Sequence, residues 1–320
     1  MAQIKATILT GFLGSGKTTF LNHIMAERPN ERIAIIINEY GEVGIDGQLV
    51  IETSEEMIEL NNGCICCTVR DDLISALRQL LELEKKFDRI IIETSGLADP
   101  APVIQSFMLD DTLSRDIKLD AIITVVDARH LEYQIHQDEA VEQISFADVI
   151  LLNKIDLVDN KKILEARECI SRLNPLARVI QTKECSVSMG QVLDIGAFDL
   201  KNILAIDPEI LSEHDHEHDQ SISCIALKQE KGLDSTLFSK WLNGLVQEQG
   251  KDILRIKGVV NFANEARRYV FHAVHMILEG RPGKPWGGDK RVTEIVFIGR
   301  NLNHLELQNG LESCIFAPVS

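Results

Sequence analysis

The octapeptide Gly11-Phe12-Leu13-Gly14-Ser15-Gly16-Lys17-Thr18 has the spacing GxxxxGK followed by Ser or Thr, the pattern of a phosphate-binding loop. The apolar run Ala6–Leu9 before it reads as a strand, and Lys17–Glu27 after it reads as a helix. Strand, loop and helix in that order are the setting in which such a loop binds nucleotide. The glycines let backbone N–H groups turn inward around phosphate oxygens, and the helix N-terminus adds its dipole. The pattern assigns Gly11, Gly14, Ser15, Gly16, Lys17, Thr18 and Thr19 to the phosphates of a nucleotide. Lys17 reaches the β- and γ-phosphates as a catalytic charge, and the Thr18 hydroxyl ligates Mg²⁺.

Working outward, short apolar runs alternate with longer amphipathic stretches. Ile33–Ile37, Arg89–Ile92, Ala121–Val126, Val149–Leu152 and Val179–Ile180 read as strands, and Asp71–Lys86, Leu131–Ser145 and Lys161–Leu173 as helices. Alternation of this kind predicts an α/β fold, a P-loop NTPase whose mostly parallel sheet is flanked by helices. Asp207–Asp219, DPEILSEHDHEHD, holds six acids and three histidines without a Lys or Arg, a linker composition. Beyond it Ile222–Leu227 reads as a strand, Thr236–Gln247 as a helix, Ile253–Phe262, Tyr269–Ile277 and Thr293–Ile298 as strands, and Leu305–Ile315 as a helix. That order predicts a smaller C-terminal α+β domain, a split β-α-β variant. The expected organisation is residues 1–206, a linker at 207–220, and residues 221–320.

Composition narrows the function classes. The 320 residues are 45% hydrophobic and 26% charged, with a net charge of −16. No concentrated basic surface is expected, so neither nucleic acid nor membrane is a partner. The N-terminus lacks the pattern of a cleaved signal, and no apolar run reaches the roughly 20 residues of a membrane span; the expected location is cytoplasmic. Seven cysteines in 320 residues are not a disulfide scaffold.

Asn153-Lys154-Ile155-Asp156 directly follows an expected strand. There the Asp156 carboxylate can accept both N1–H and the exocyclic amine of guanine, a pair that adenine does not offer, and Asn153 and Lys154 complete the element. Ile90-Ile91-Ile92-Glu93-Thr94-Ser95-Gly96 ends a buried strand on an acid. Glu93 sits where a carboxylate holds Mg²⁺ through water, or alternatively caps the next turn, and Gly96 is placed to sense the γ-phosphate through its N–H.

Asn61-Asn62-Gly63-Cys64-Ile65-Cys66-Cys67 gathers three thiols within four residues. Cys64 and Cys67 have the spacing that grips one ion and Cys66 can add a third ligand, with Zn²⁺ or Cu(I) favoured by soft sulfur over Mg²⁺ or Ca²⁺; the alternative is three small buried hydrophobes, and Glu42 is one candidate for a further ligand of tetrahedral Zn²⁺. His214, His216 and His218 alternate with acids in the linker and either gather around an ion or form part of a solvated face. His272 and His275 lie in a strand pattern and read as structural.

GFLGSGKTT, NEYGEVGID, GCICC, ETSGLADP and NKID, in that order, together with RIKGVVNF, VFHAVH and IVFIGR, resemble the CobW-like family of P-loop GTPases. The resemblance implies a GTPase domain with a smaller C-terminal domain, zinc at Cys64, Cys66 and Cys67, Glu93 as the acid near Mg²⁺, Asn153 to Asp156 as the guanine site, and Glu39 and Asp46 as acidic positions of a switch-like loop. It implies a metallochaperone in which GTP controls delivery of zinc, with Co²⁺ or Ni²⁺ as other cargoes, to a client metalloprotein. No guanine loop of the family's usual form is evident around Thr182–Ser186. Neither a catalytic Gln nor an arginine finger is evident, so slow turnover, accelerated by a partner or a homodimer, is expected. The alternatives are a cobalt- or cobalamin-related GTPase, and a metal-buffering or sensing module whose nucleotide site is structural.

Overall fold

The structure, a computed structural model, describes residues 3–38, 57–60, 68–83, 87–198 and 222–317. The described residues fall into two compact units, the second taking in Arg172–Pro175 together with the residues after Phe198. In the first, strands β1 (Ile4–Thr10), β2 (Ile33–Asn38), β3 (Met57–Leu60), β4 (Arg89–Thr94), β5 (Ile117–Asp127), β6 (Val149–Asn153) and β7 (Arg178–Gln181) make a seven-stranded sheet of order β3-β2-β4-β1-β5-β6-β7. Every pairing in it is parallel. Helices α1 (Lys17–Glu27), α2 (Thr68–Glu82), α3 (Ala101–Leu109), α4 (Asp111–Asp116), α5 (Leu131–Gln134), α6 (Asp138–Phe146) and α7 (Asn160–Leu173) join the strands. All residues of β4 and β6 are buried, which is why Ile90–Ile92 and Val149–Leu152 within them are continuous apolar runs rather than alternating ones.

The connection from β1 runs to β2 on one side of the sheet, and the connection from its neighbour β4 runs to β5 on the other. A ligand crevice is expected outside the carboxyl ends of strands at such a point. The sequence reading gave no element at β3, α3 or α4, and two further differences have a visible cause. The expected helix Leu131–Ser145 is two helices, because Gln137 takes an extended conformation before the acidic first turn Asp138-Glu139 of α6. Strand β5 begins at Ile117 rather than Ala121, across the buried Asp120. The Asp120 carboxylate accepts hydrogen bonds from the backbone N–H groups of Asp194 and Gly196, both at 2.6 Å, so the strand carries an acid in its interior.

The second unit is a five-stranded antiparallel sheet of order β11-β10-β9-β12-β8, built from β8 (Ile222–Gln229), β9 (Ile253–Val260), β10 (Arg267–Val274), β11 (Ile277–Pro285) and β12 (Thr293–Arg300), with α8 (Ser235–Gln249) and α9 (His304–Glu312). β8 and β9 flank β12, each antiparallel to it, and α8 connects them, which is the split β-α-β arrangement. The single expected strand Tyr269–Ile277 is in fact the β10–β11 hairpin, turning at His275, whose φ is +50°. Phe238, Trp241, Phe262 and Phe271 interlock edge to face in the core between this sheet and its helices. His272 is buried on β10, 3.3 Å from Glu279 of β11.

Candidate nucleotide-binding site

The loop between β1 and α1 has the conformation its glycines predict. Gly11 has φ +137°, and a Cβ there would collide with the Val125 carbonyl of β5. Gly16 has φ +119°, and a Cβ would stand 2.7 Å from Asn153 Nδ2 and 2.9 Å from Cys185 Sγ. An L side chain is unfavourable at either φ, so backbone alone can pass between its neighbours here. No side chain caps the N-terminus of α1 and its first turn holds no acid, leaving backbone donors and the positive dipole end for an anion. Lys17 is buried and its Nζ donates to the carbonyls of Gly11 at 2.8 Å and Phe12 at 3.4 Å. Thr18 is half-buried and Thr19 exposed on the first turn. Ser15 Oγ is buried with no hydrogen-bond partner among the described residues, the condition of a hydroxyl in a cradle built for another group.

Three further loops close on this one. Glu93 is buried near the end of β4, in register with Leu9 of β1 and Ile37 of β2. Three residues later Gly96 packs so closely on Leu13 that a Cβ would lie 2.7 Å from the Leu13 nitrogen. The buried Gln143 of α6 donates through Nε2 to the carbonyls of Gly96 at 3.1 Å and Ala98 at 3.2 Å, holding the loop after β4 from behind.

At the end of β6, Asn153 is buried, and its Nδ2 donates to the Ser15 carbonyl at 2.9 Å. Its Oδ1 accepts from Cys185 N at 2.9 Å and from Thr182 Oγ1 at 3.2 Å. Asn153 thus ties the phosphate loop to the segment Thr182–Ser186. Lys154, with φ +61°, donates through Nζ to the Gly14 carbonyl at 2.6 Å and to Asp127 Oδ2 at 2.7 Å. Asp156 follows in a 3-10 turn, with its side chain exposed and no hydrogen bond to it from the described residues.

Sequence reasoning gave no role to Asp127 or Cys185. Burial opposes ionisation of Asp127, but donation from Lys154, His130 and the Arg129 N–H outweighs it and holds the carboxyl below the ordinary carboxylate value. Its signal in the sequence was an acid closing an apolar strand, as Glu93 nearly does in β4. Cys185 had no comparable signal. Burial pushes its thiol up to about 12, so it stays protonated and donates to the Gly16 carbonyl at 3.3 Å. Glu42, Cys64, Cys66, Cys67, His214, His216 and His218 lie outside the described residues, as do Glu39, Asp46 and the linker. Among the described residues no cluster of His, Cys, Asp and Glu could hold a metal ion, the cysteines are free thiols, and no helix is long and apolar enough to cross a membrane.

Known proteins resemble this chain over nearly its whole length. The zinc chaperone YjiA of Escherichia coli is 36% identical over 314 residues, covering 96% of this chain and 98% of that one. The zinc-regulated GTPase metalloprotein activator 1 of Schizosaccharomyces pombe is 32% identical over 344 residues, covering 94% and 84%. The crystal structure of Zn(II)-bound YjiA GTPase from E. coli is similar at a TM-score of 0.79 and 30% identity, over 99% of this chain and 100% of that one. The model of the cobalamin synthesis protein cobW C-terminal domain matches residues 222–315. Residues 5–181 match the CobW/HypB/UreG nucleotide-binding domain, and the chain belongs to that family.

Proposed function

We propose that this protein binds and slowly hydrolyses GTP, and that its nucleotide state governs delivery of zinc to a client metalloprotein. The observation that carries the nucleotide half is the unpartnered, exposed carboxylate of Asp156. It lies two residues after Lys154, which with Asn153 is bonded to the phosphate loop, so a base accepted by Asp156 and phosphates held at Gly14–Thr18 belong to one ligand. Guanine offers Asp156 two donors and adenine does not. Lys17 and the N-terminus of α1 offset phosphate charge in a partly dehydrated cradle. The donor set fits Mg²⁺, with Thr18 as a direct ligand and Glu93 acting through water; the ion would neutralise charge on the β- and γ-oxygens.

The zinc half rests on the family and on its relatives. One relative is named a zinc chaperone, another a zinc-regulated GTPase metalloprotein activator, and a third is described as Zn(II)-bound. In this chain Cys64, Cys66 and Cys67 are the cargo ligands, lying in sequence between the phosphate loop and Glu93, where nucleotide and metal can bias one segment. The segment 207–220 is an acidic linker between the nucleotide domain and the C-terminal domain, and its His214, His216 and His218 are auxiliary ligands. Zinc is titrated into the protein with a non-hydrolysable GTP analogue, with GDP and without nucleotide, and metal-stimulated hydrolysis is compared with that of Cys66→Ala. Different zinc affinities in the three states are expected. Equal affinities would remove the coupling, and an unchanged Cys66→Ala would remove the thiolate site.

A further inference from the structure

Asp127 is a carboxylate only 2% exposed at the end of an apolar strand, a placement that costs free energy unless the charge is used. Its Oδ1 accepts from Arg129 N at 2.8 Å, closing a local turn. Its Oδ2 accepts from Lys154 Nζ at 2.7 Å and contacts His130 Nδ1 at 3.0 Å. β5 and β6 are in register here, Asp127 beside Asn153, and Ala128 N donates to the Asn153 carbonyl at 2.9 Å. The carboxylate is therefore fixed directly beside the start of the 153–156 segment. The turn explains one oxygen and the Lys154 ammonium the other. That ammonium also reaches the Gly14 carbonyl at 2.6 Å, at the open side of the phosphate loop.

We propose that Asp127 is a positioning residue for the nucleotide, anchoring Lys154 across Gly14 so that the base-binding segment and the phosphate loop keep one separation. Without the anchor the ammonium has a choice of partners, solvent and phosphate among them, and the Gly14 carbonyl loses its fixed donor. The inference rests on the nucleotide reading above. It differs from a turn-holding role in a measurable way, because the turn uses Oδ1 and the positioning uses Oδ2.

Full-length protein with Mg²⁺ is titrated with fluorescent GDP and with a fluorescent non-hydrolysable GTP analogue. Asp127→Asn is expected to weaken both by roughly tenfold, the loss of one charge-assisted hydrogen bond at the loop, with guanine still preferred over adenine. In a Lys154→Met background the same substitution is expected to change affinity by less than about twofold, because the two residues act as one unit. Asp127→Ser keeps an oxygen that can accept from Arg129 N but is too short for Lys154. It should reproduce the loss while preserving the melting temperature better than Asp127→Asn, and it serves if Asp127→Asn does not fold. Wild-type affinity in Asp127→Asn or Asp127→Ser, or a full tenfold loss on top of Lys154→Met, overturns the inference alone. Wild-type protein that takes no guanine nucleotide overturns the site reading and this inference with it.

Discussion

Asn153 joins three segments through one side chain, so Asn153→Ala is the most diagnostic perturbation of the site. It removes a donor to the Ser15 carbonyl and an acceptor for Cys185 N and Thr182 Oγ1. Thr182 can rotate its hydroxyl elsewhere, but the Ser15 carbonyl and the Cys185 N–H are backbone groups of residues with 0% exposure. Each buried orphan costs about 1–3 kcal/mol, so truncation should cost about 2–6 kcal/mol. Water reaching the orphaned groups would satisfy part of their hydrogen bonding, which draws the expectation down to about 2–4 kcal/mol. Residue-resolved hydrogen exchange is the suitable assay, since a chain of two units need not unfold in one step. Protection of the Cys185 amide should fall about 30- to 700-fold, the equivalent of that energy at 1.4 kcal/mol per decade. Asn153→Asp provides the internal control. It keeps an acceptor for Cys185 N but turns an oxygen toward the Ser15 carbonyl, so amide protection should survive while GDP affinity falls. A Cys185 amide equally protected in Asn153→Ala and wild type would refute the account.

Three shorter predictions concern the surrounding loops. Gly16→Ala places a Cβ against Asn153 and Cys185 at a φ of +119°, and should cut GDP binding by more than about tenfold given strain of ~1–2 kcal/mol plus displaced neighbours; wild-type binding would contradict it. Gln143→Leu removes both donors to the loop after β4 and should lower GTP-analogue affinity about fivefold more than GDP affinity, at ~1 kcal/mol for a hydrogen bond; an equal change for both nucleotides would show that the loop does not sense the γ-phosphate. Burial raises the Asp194 carboxyl, but Lys5 and Arg89 at 2.7 and 2.8 Å outweigh it and hold the pKa low. A depressed folded-state value adds stability above the unfolded-state pKa and loses it as pH falls through the folded-state value. The melting-temperature gap between wild type and Asp194→Asn should therefore shrink as pH drops from about 5 to about 3, and a gap that widened would reverse the sign of this ion pair.

Much of the fold was legible because parallel strands buried on both faces carry unbroken apolar stretches. Arg89–Ile92 and Val149–Leu152 could be read for that reason, while the polar ends Glu93, Thr94 and Asn153 lie beyond those stretches. β11 could not: Gly280, Pro282, Gly283 and Pro285 argue against a strand, yet they are tolerated because β11 is at the sheet edge. Edge position is a tertiary property. The start of β5 was hidden in the same way, since the partners of Asp120 lie more than seventy residues later.

At the site, local chemistry determined what the sequence alone could tell. Glycine spacing, Lys17 and Thr18 form the pattern of a phosphate-binding loop and Asp156 closes the pattern proposed for guanine, and a ligand of fixed shape imposes such patterns as short contiguous motifs. Only the tertiary structure decided how the motifs are held in register. The links between Asn153 and Ser15, Lys154 and Gly14, Gln143 and Gly96, and Lys154 and Asp127 join loops distant in sequence. Such links need only one donor meeting one acceptor, which many residue types satisfy, so they leave no pattern until the parallel strands bring their ends together.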